Sequence, residues 1–172
     1  MLNVVLFEPE IPGNTGNIMR TCVAINAKLD IIGPLSFSLD EKSLKRAGMD
    51  YIDSLKYQYF PTYEDYLKEY PNADTYYVTR YSKDTYTSFD FSRVTHDIFL
   101  MFGRESTGIP HQILKEHKDR LLRIPMVPEA RSLNLSNSVA IVVYEVLRQQ
   151  KFPNLSTHEA IKGEDFLFNE KD

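Results

Sequence analysis

Leu2-Asn3-Val4-Val5-Leu6-Phe7, then Glu8-Pro9-Glu10-Ile11-Pro12-Gly13-Asn14-Thr15-Gly16-Asn17, then Ile18 to Asn26, is the stretch that decides the fold. The first run is Val-rich and almost unbroken in its apolar character, which predicts a strand buried on both faces. The second holds two prolines and two glycines and predicts a loop. The third predicts a helix. Working outward, Leu29 to Ile32 reads as a second strand, closed by Gly33-Pro34. Ser38-Leu39-Asp40-Glu41 is a capping box that opens a helix through Ala47, with Gly48 as its stop. Thr62 to Asp65 repeats that signature, and Pro71 ends the helix it opens. Thr75 to Thr79, Ile98 to Phe102 and Leu121 to Met126 predict further strands, with a short helix after Pro110 and a long one from Leu135 to about Gln150. Strand and helix alternate throughout, so the expectation is an α/β domain with a mostly parallel sheet flanked by helices. Ligands of such sheets bind beyond the carboxyl ends of the strands. The loops Glu8–Asn17, Gly103–Pro110 and Val127–Asn137 leave those ends, so that rim is where chemistry is expected.

The chain has 172 residues, of which 42% are hydrophobic and 12% aromatic. That supports one packed core and excludes intrinsic disorder. Lys and Arg number 20 against 24 Asp and Glu, a formal charge of −4, which excludes a protein that grips nucleic acid by bulk positive charge. Residues 159–172 carry five acids and two bases, so most of the excess sits in an acidic tail and the body is near neutral. The single cysteine, Cys22, excludes an intrachain disulfide and a Cys-rich zinc site, and fits a reducing compartment. No targeting segment and no apolar run long enough to span a bilayer is visible, and the expectation is a soluble cytoplasmic protein with no membrane partner.

The nucleotide signatures G-x-G-x-x-G and G-x-x-x-x-G-K-[ST] are absent. Gly13-Asn14-Thr15-Gly16 is a G-x-x-G, a four-residue match to an RNA-binding loop that many proteins meet by chance. His96, His111, His117 and His158 have no zinc-site spacing and read as solvent-facing or capping residues. Cys22 reads as a small core residue. Arg20, Glu105 in Gly103-Arg104-Glu105-Ser106-Thr107-Gly108, and the polar cluster Arg131 to Asn137 each have a plain reading as surface or helix-capping residues. Together, three polar loops on one rim exceed what folding requires.

Three motifs in order carry a resemblance. They are Asn14-Thr15-Gly16-Asn17-Ile18-x-Arg20, Phe102-Gly103-x-Glu105-x-x-Gly108, and Ile124-Pro125-Met126 with Ser132-Leu133-Asn134-Leu135-Ser136-Asn137-Ser138-Val139-Ala140. Together they resemble the motifs of the SpoU branch of the SPOUT RNA 2′-O-methyltransferases. Glu8-Pro9-Glu10-Ile11-Pro12 before them and Arg46-Ala47-Gly48-x-Asp50-Tyr51 after the first are closest to the minimal members, which methylate the ribose of tRNA wobble nucleotide 34. The resemblance covers residues 2 to 153. It implies one SPOUT domain over residues 1–155, a C-terminal deep trefoil knot and a homodimer acting on tRNA; residues 156–172, which have no counterpart in it, read from their charge as an acidic tail. It also implies an S-adenosylmethionine pocket using Val78, Gly103, Ile124, Met126, Ser132 and Leu133. Catalytic residues by the same resemblance are Arg20, Asn14, Glu105 and Asn134.

The chemistry can be reasoned beside it. Methyl transfer is an in-line displacement at a sulfonium carbon by a ribose oxygen. The donor is already cationic, so no metal is expected. A guanidinium stays protonated, so Arg20 is expected to clamp a phosphate and aim the hydroxyl rather than act as a base. Asn14, Glu105 and Asn134 would hold the loops in register. The last helix is apolar on more than one face, from Val139 to Leu147, so one side is expected in the core and another against a partner subunit. Basic residues expected to meet RNA are Lys45, Arg46 and Arg148, with Lys42 and Lys151 beside them. The rivals are the same chemistry at another RNA position, a non-catalytic RNA-binding module, and an ordinary nucleotide-binding Rossmann enzyme.

Overall fold

A computed structural model describes residues 1–39 and 54–168. The strands are β1 (Leu2–Phe7), β2 (Lys28–Ile32), β3 (Tyr57–Phe60), β4 (Asp74–Val78), β5 (Ile98–Phe102) and β6 (Leu121–Leu122). They form one sheet in the order β3-β2-β1-β5-β4-β6, and every pairing is parallel. The helices among the described residues are α1 (Pro12–Ala24), α2 (Tyr63–Glu69), α3 (His111–Glu116) and α4 (Leu135–Gln149).

Alternation along the central strands sorts the core into two layers. Val4, Leu6, Leu29, Ile31, Leu100 and Phe102 pack with Ile18, Met19 and Cys22 of α1 and with Val139, Val142, Val143 and Val146 of α4. Val5, Phe7, Ile32, Phe99 and Met101 pack on the other side with Tyr66 of α2 and with Ile113 and Leu114 of α3. Both faces are covered, which is why these strands read as apolar runs. Asn3 and Thr75 are buried polar exceptions, and Asp30 is the charged one: its side chain is fully buried in β2. No hydrogen bond reaches either carboxylate oxygen, and the Lys28 Nζ stands 3.3 Å away. Burial pushes the Asp30 carboxyl up to about 6, against the pull of the Lys28 charge.

Several expectations need correction. The helix expected from Ile18 begins at Pro12 instead. Pro12 occupies the first turn, where a missing N–H costs no hydrogen bond, and Gly16 is buried inside the helix. The G-x-x-G is therefore helical rather than a loop. The strand expected over Leu121–Met126 stops at Leu122. Beyond it the chain pairs with a loop: Arg123 donates its N–H to the Asp84 carbonyl (3.0 Å) and accepts from the Tyr86 N–H (2.9 Å). Strand β3 was not anticipated. The helix expected through Ala47 lies, from Asp40 on, outside the described residues, as do Lys42, Lys45 and Arg46.

Other expectations are met. Thr62 caps α2 by accepting from the Asp65 N–H (3.2 Å). Cys22 is buried, and burial pushes its thiol up to about 12. On α4 the faces divide unevenly: Val143 and Val146 are at 0% exposure in the chain's own core, while Tyr144 is 47% exposed and Ala140 and Ile141 are half-buried. No helix among the described residues is long and apolar enough to cross a membrane.

Candidate active site

Because the sheet is all parallel, the loops after β1, β4, β5 and β6 leave by one rim. Glu105, just after β5, ties two of them together. Its Oε2 accepts from the Glu10 N–H (2.8 Å), and its Oε1 accepts from the Ile11 N–H (3.2 Å) and the Asn14 amide (3.0 Å). Asn14 sits in the first turn of α1 and is buried. A carboxylate only accepts, so Asn14 must turn its NH2 toward Glu105 and its oxygen away. That oxygen accepts from the Asn134 amide at 2.9 Å. The Asn134 oxygen is thereby left to cap α4, accepting from the backbone N–H groups of Ser136 (2.9 Å) and Asn137 (3.3 Å) and from the Ser136 hydroxyl (2.7 Å). A carboxylate, two amides and a helix N-terminus form one directional chain, fixed at its acidic end.

A second clamp runs beside it. Glu10 accepts from the Ser106 hydroxyl (2.7 Å) and N–H (2.8 Å), and these bonds, the hydroxyl's first, hold its carboxyl below the usual range. Arg104 pairs with Glu8. Arg104 and Gly108 exchange backbone hydrogen bonds of 3.3 and 2.9 Å, closing the loop on itself. A Cβ on Gly103 would lie 2.1 Å from backbone atoms of Gly108 and Ile109, so glycine is required there.

These loops enclose a cavity of about 730 Å³, within the range of small-molecule sites. Val78, Gly103, Ile124, Met126, Ser132 and Leu133 all line it, and so do Asn14, Glu105 and Asn134. Apolar side chains alternate with polar groups and loop backbone, as an adenosine-bearing cofactor requires. Arg20 stands on the exposed side of α1 and is not among the lining residues. Arg148 is held in a two-point pair with Glu145 on α4, at 2.8 and 2.9 Å. Among the described residues, no three His, Cys, Asp or Glu side chains converge as metal ligands do. Sequence reasoning missed Thr79, Arg80, Tyr81 and His111, which also line the cavity. The signal that could have found the first three was position: they follow directly on a strand at the carboxyl rim.

Comparison with known proteins adds four findings. Residues 1–144 match the SpoU rRNA methylase family. A Geobacillus stearothermophilus protein, provisionally named tRNA (cytidine(34)-2'-O)-methyltransferase, is 53% identical over 155 residues, 90% of this chain and 99% of that one. A solved structure described as giving insights into 2-OH methylation of C/U34 on tRNA is 34% identical, with a TM-score of 0.80, covering 88% of this chain and 97% of the other. The methyltransferase AviRb of Streptomyces viridochromogenes, in complex with AdoMet, is 26% identical with a TM-score of 0.72, covering 88% of this chain and 61% of that one.

Proposed function

The chain belongs to the SpoU methylase family, and we propose that it methylates the ribose 2′-hydroxyl of wobble nucleotide 34 in tRNA, a cytidine or a modified uridine, using S-adenosylmethionine. The observation that carries this reading is the Glu105–Asn14–Asn134 chain in the wall of the cavity. It joins the three loops whose motifs the family shares, and it does so through side chains that folding alone would not place together. The names of the Geobacillus relative and of the C/U34 structure support the substrate, and the AdoMet-bound AviRb supports the cofactor.

Val78, Gly103, Ile124, Met126, Ser132 and Leu133 would hold the cofactor. Bound there, it supplies a methyl group on a sulfonium, electrophilic without help from a metal. The chain's own residues bind and orient the other reactant. Arg20 lies outside the cavity, so its role is on the RNA side, where a guanidinium grips a phosphate at two points and fixes the adjacent ribose. Lys45 and Arg46 extend that contact, and Arg148 joins it only by giving up its pair with Glu145. Asn14, Glu105 and Asn134 keep the loops from drifting apart.

The reading extends to the architecture. Residues 1–155 form one domain and 156–172 a tail. The C-terminal part passes through a deep trefoil knot. In support of the knot, the chain after β6 is bonded to Asp84 and Tyr86, and at the far end of α4 Gln149 is bonded to the Phe91 N–H (2.7 Å) and the Phe89 carbonyl (3.1 Å). The segment around residues 84–91 is thus engaged by both ends of the C-terminal part. The protein works as a homodimer in the cytoplasm, and the exposed Tyr144 with its neighbours Ala140 and Ile141 supplies the contact.

The test is methylation of an unmodified tRNA transcript followed by nucleoside mass spectrometry. Wild type should place a 2′-O-methyl group on nucleotide 34. Arg20→Ala should abolish turnover and leave calorimetric affinity for S-adenosylhomocysteine unchanged. A mark at another position, or none with wild type, overturns the assignment.

A further inference from the structure

Arg80 and Tyr81 follow β4, and His111 opens α3; all three line the mouth of the cavity, and none of the roles assigned above uses them. Tyr81 is 53% exposed, and among the described residues it is the one exposed Phe, Tyr or Trp ring that lines the cavity. The Arg80 guanidinium lies 5.0 Å from the centre of the Tyr81 ring, and the His111 ring meets that ring edge-on at 5.1 Å. An apolar ring left in water beside a cationic group and a second ring is what an unpaired nucleobase stacks upon.

The turn that carries Tyr81 is fastened on both sides. Before it, the Thr79 N–H donates to the Leu122 carbonyl (2.9 Å), and the Thr79 hydroxyl accepts from the Tyr81 N–H (3.3 Å). After it, the buried Ser82 hydroxyl shares its one proton between the carbonyls of Leu121 (2.8 Å) and Asp84 (2.9 Å) and accepts from the Asp84 N–H (3.0 Å). The Arg80 carbonyl between them accepts from Arg123 Nη1 at 2.7 Å. Two residues are therefore presented outward by a backbone that cannot easily move. A ring whose position is fixed before binding loses little entropy when a base lands on it.

We propose that Tyr81, supported by Arg80 and His111, is the platform on which the base of the target nucleotide stacks while its ribose faces the cavity. The inference rests on the reading of the protein as a tRNA ribose methyltransferase and names how that site holds its nucleotide. Stacking is tolerant of base identity, so one platform serves cytidine and a modified uridine alike.

The test is a cycle of two enzymes and two substrates: wild type and Tyr81→Ala, each with intact tRNA and with tRNA that lacks the base at position 34. Tyr81→Ala should lower kcat/KM on intact tRNA about ten-fold or more, chiefly through KM. Wild type on the abasic tRNA should lose a similar factor, and the variant should lose nothing further. Tyr81→Phe and Tyr81→Trp should stay close to wild type, and calorimetric affinity for S-adenosylhomocysteine should not change in any of them. Multiplying penalties would place the stacked base elsewhere. Lost cofactor affinity would make Tyr81 part of the cofactor pocket, and an unchanged KM would leave it without a role; each overturns the proposal. Failure of wild type on intact tRNA would instead strike the reading on which it rests, so the two failures are separable.

Discussion

Glu105 shows how one side chain can set the direction of a whole site. It accepts from three donors, two of them backbone N–H groups of the loop after β1. Replacing it by Gln keeps its size and removes one acceptor position. The new NH2 must then face an N–H donor, or turn and face the Asn14 amide. If Asn14 flips in response, the Asn134 amide loses its acceptor and the cap of α4 is strained in turn. Glu105→Gln should therefore cost about 1 kcal/mol in urea denaturation, the low end of the penalty for an unpaired polar group, because Glu105 is only half-buried. It should also reduce methyl transfer at saturating tRNA by at least ten-fold. A variant with wild-type stability and turnover would mean that the chain of bonds is not what aligns the loops.

At the scale of the elements, β2 carries a testable oddity in Asp30. Its carboxyl is pushed up to about 6 from an ordinary 3.8, so between those values the folded chain binds a proton that the unfolded chain releases. Stability from this group is full below pH 4 and is lost as the pH rises through 6, by about 3 kcal/mol at most. Asp30→Asn should flatten the profile relative to wild type over that window and be more stable by roughly 1 kcal/mol at pH 7. Lys28 can turn to water, since its side chain is 25% exposed. Urea melts of both proteins at pH 4.5, 6 and 7.5 check this, and parallel profiles would refute it. The same scale explains what was legible in the sequence. β1, β2, β4 and β5 lie inside the sheet with both faces covered, so burial left mainly apolar runs, interrupted by Asn3, Asp30 and Thr75. β3 is an edge strand with Tyr57 and Tyr59 exposed, and its alternation over four residues carries too little pattern to detect. The start of α1 was misread because Pro and Gly mark loops in most contexts, and only packing distinguishes a Pro in the first turn and a buried Gly from loop residues. The residues of the Glu105–Asn14–Asn134 chain were legible as motifs, whereas their contacts span 91 and 120 residues of sequence, a separation at which no local periodicity gives a signal. Tyr81 has only its position after a strand at the carboxyl rim to mark it, with no residue pattern around it.

For the whole molecule, packing restricts which side of α4 the proposed dimer can use. Its expected partner-facing side cannot include Val143 or Val146, which are at 0% exposure and packed against the sheet and α1. A charge at either position would be buried without a partner and would unfold the chain, whatever its oligomeric state. Tyr144 is different: it is 47% exposed on the same helix and lies one residue from the core. Beside it, Arg148 and Glu145 already satisfy each other, so the outward face offers an aromatic ring flanked by a neutralised pair rather than a net charge. A subunit interface buries such a surface, and its core is depleted of charge. Tyr144→Glu should therefore give folded monomers of roughly half the mass of wild type by analytical ultracentrifugation, with a thermal transition lowered by the loss of the stabilisation that association supplies. The monomer should retain S-adenosylhomocysteine binding, because the residues assigned to the cofactor all belong to one chain. A Tyr144→Glu protein that sediments as wild type does would move the subunit contact away from α4.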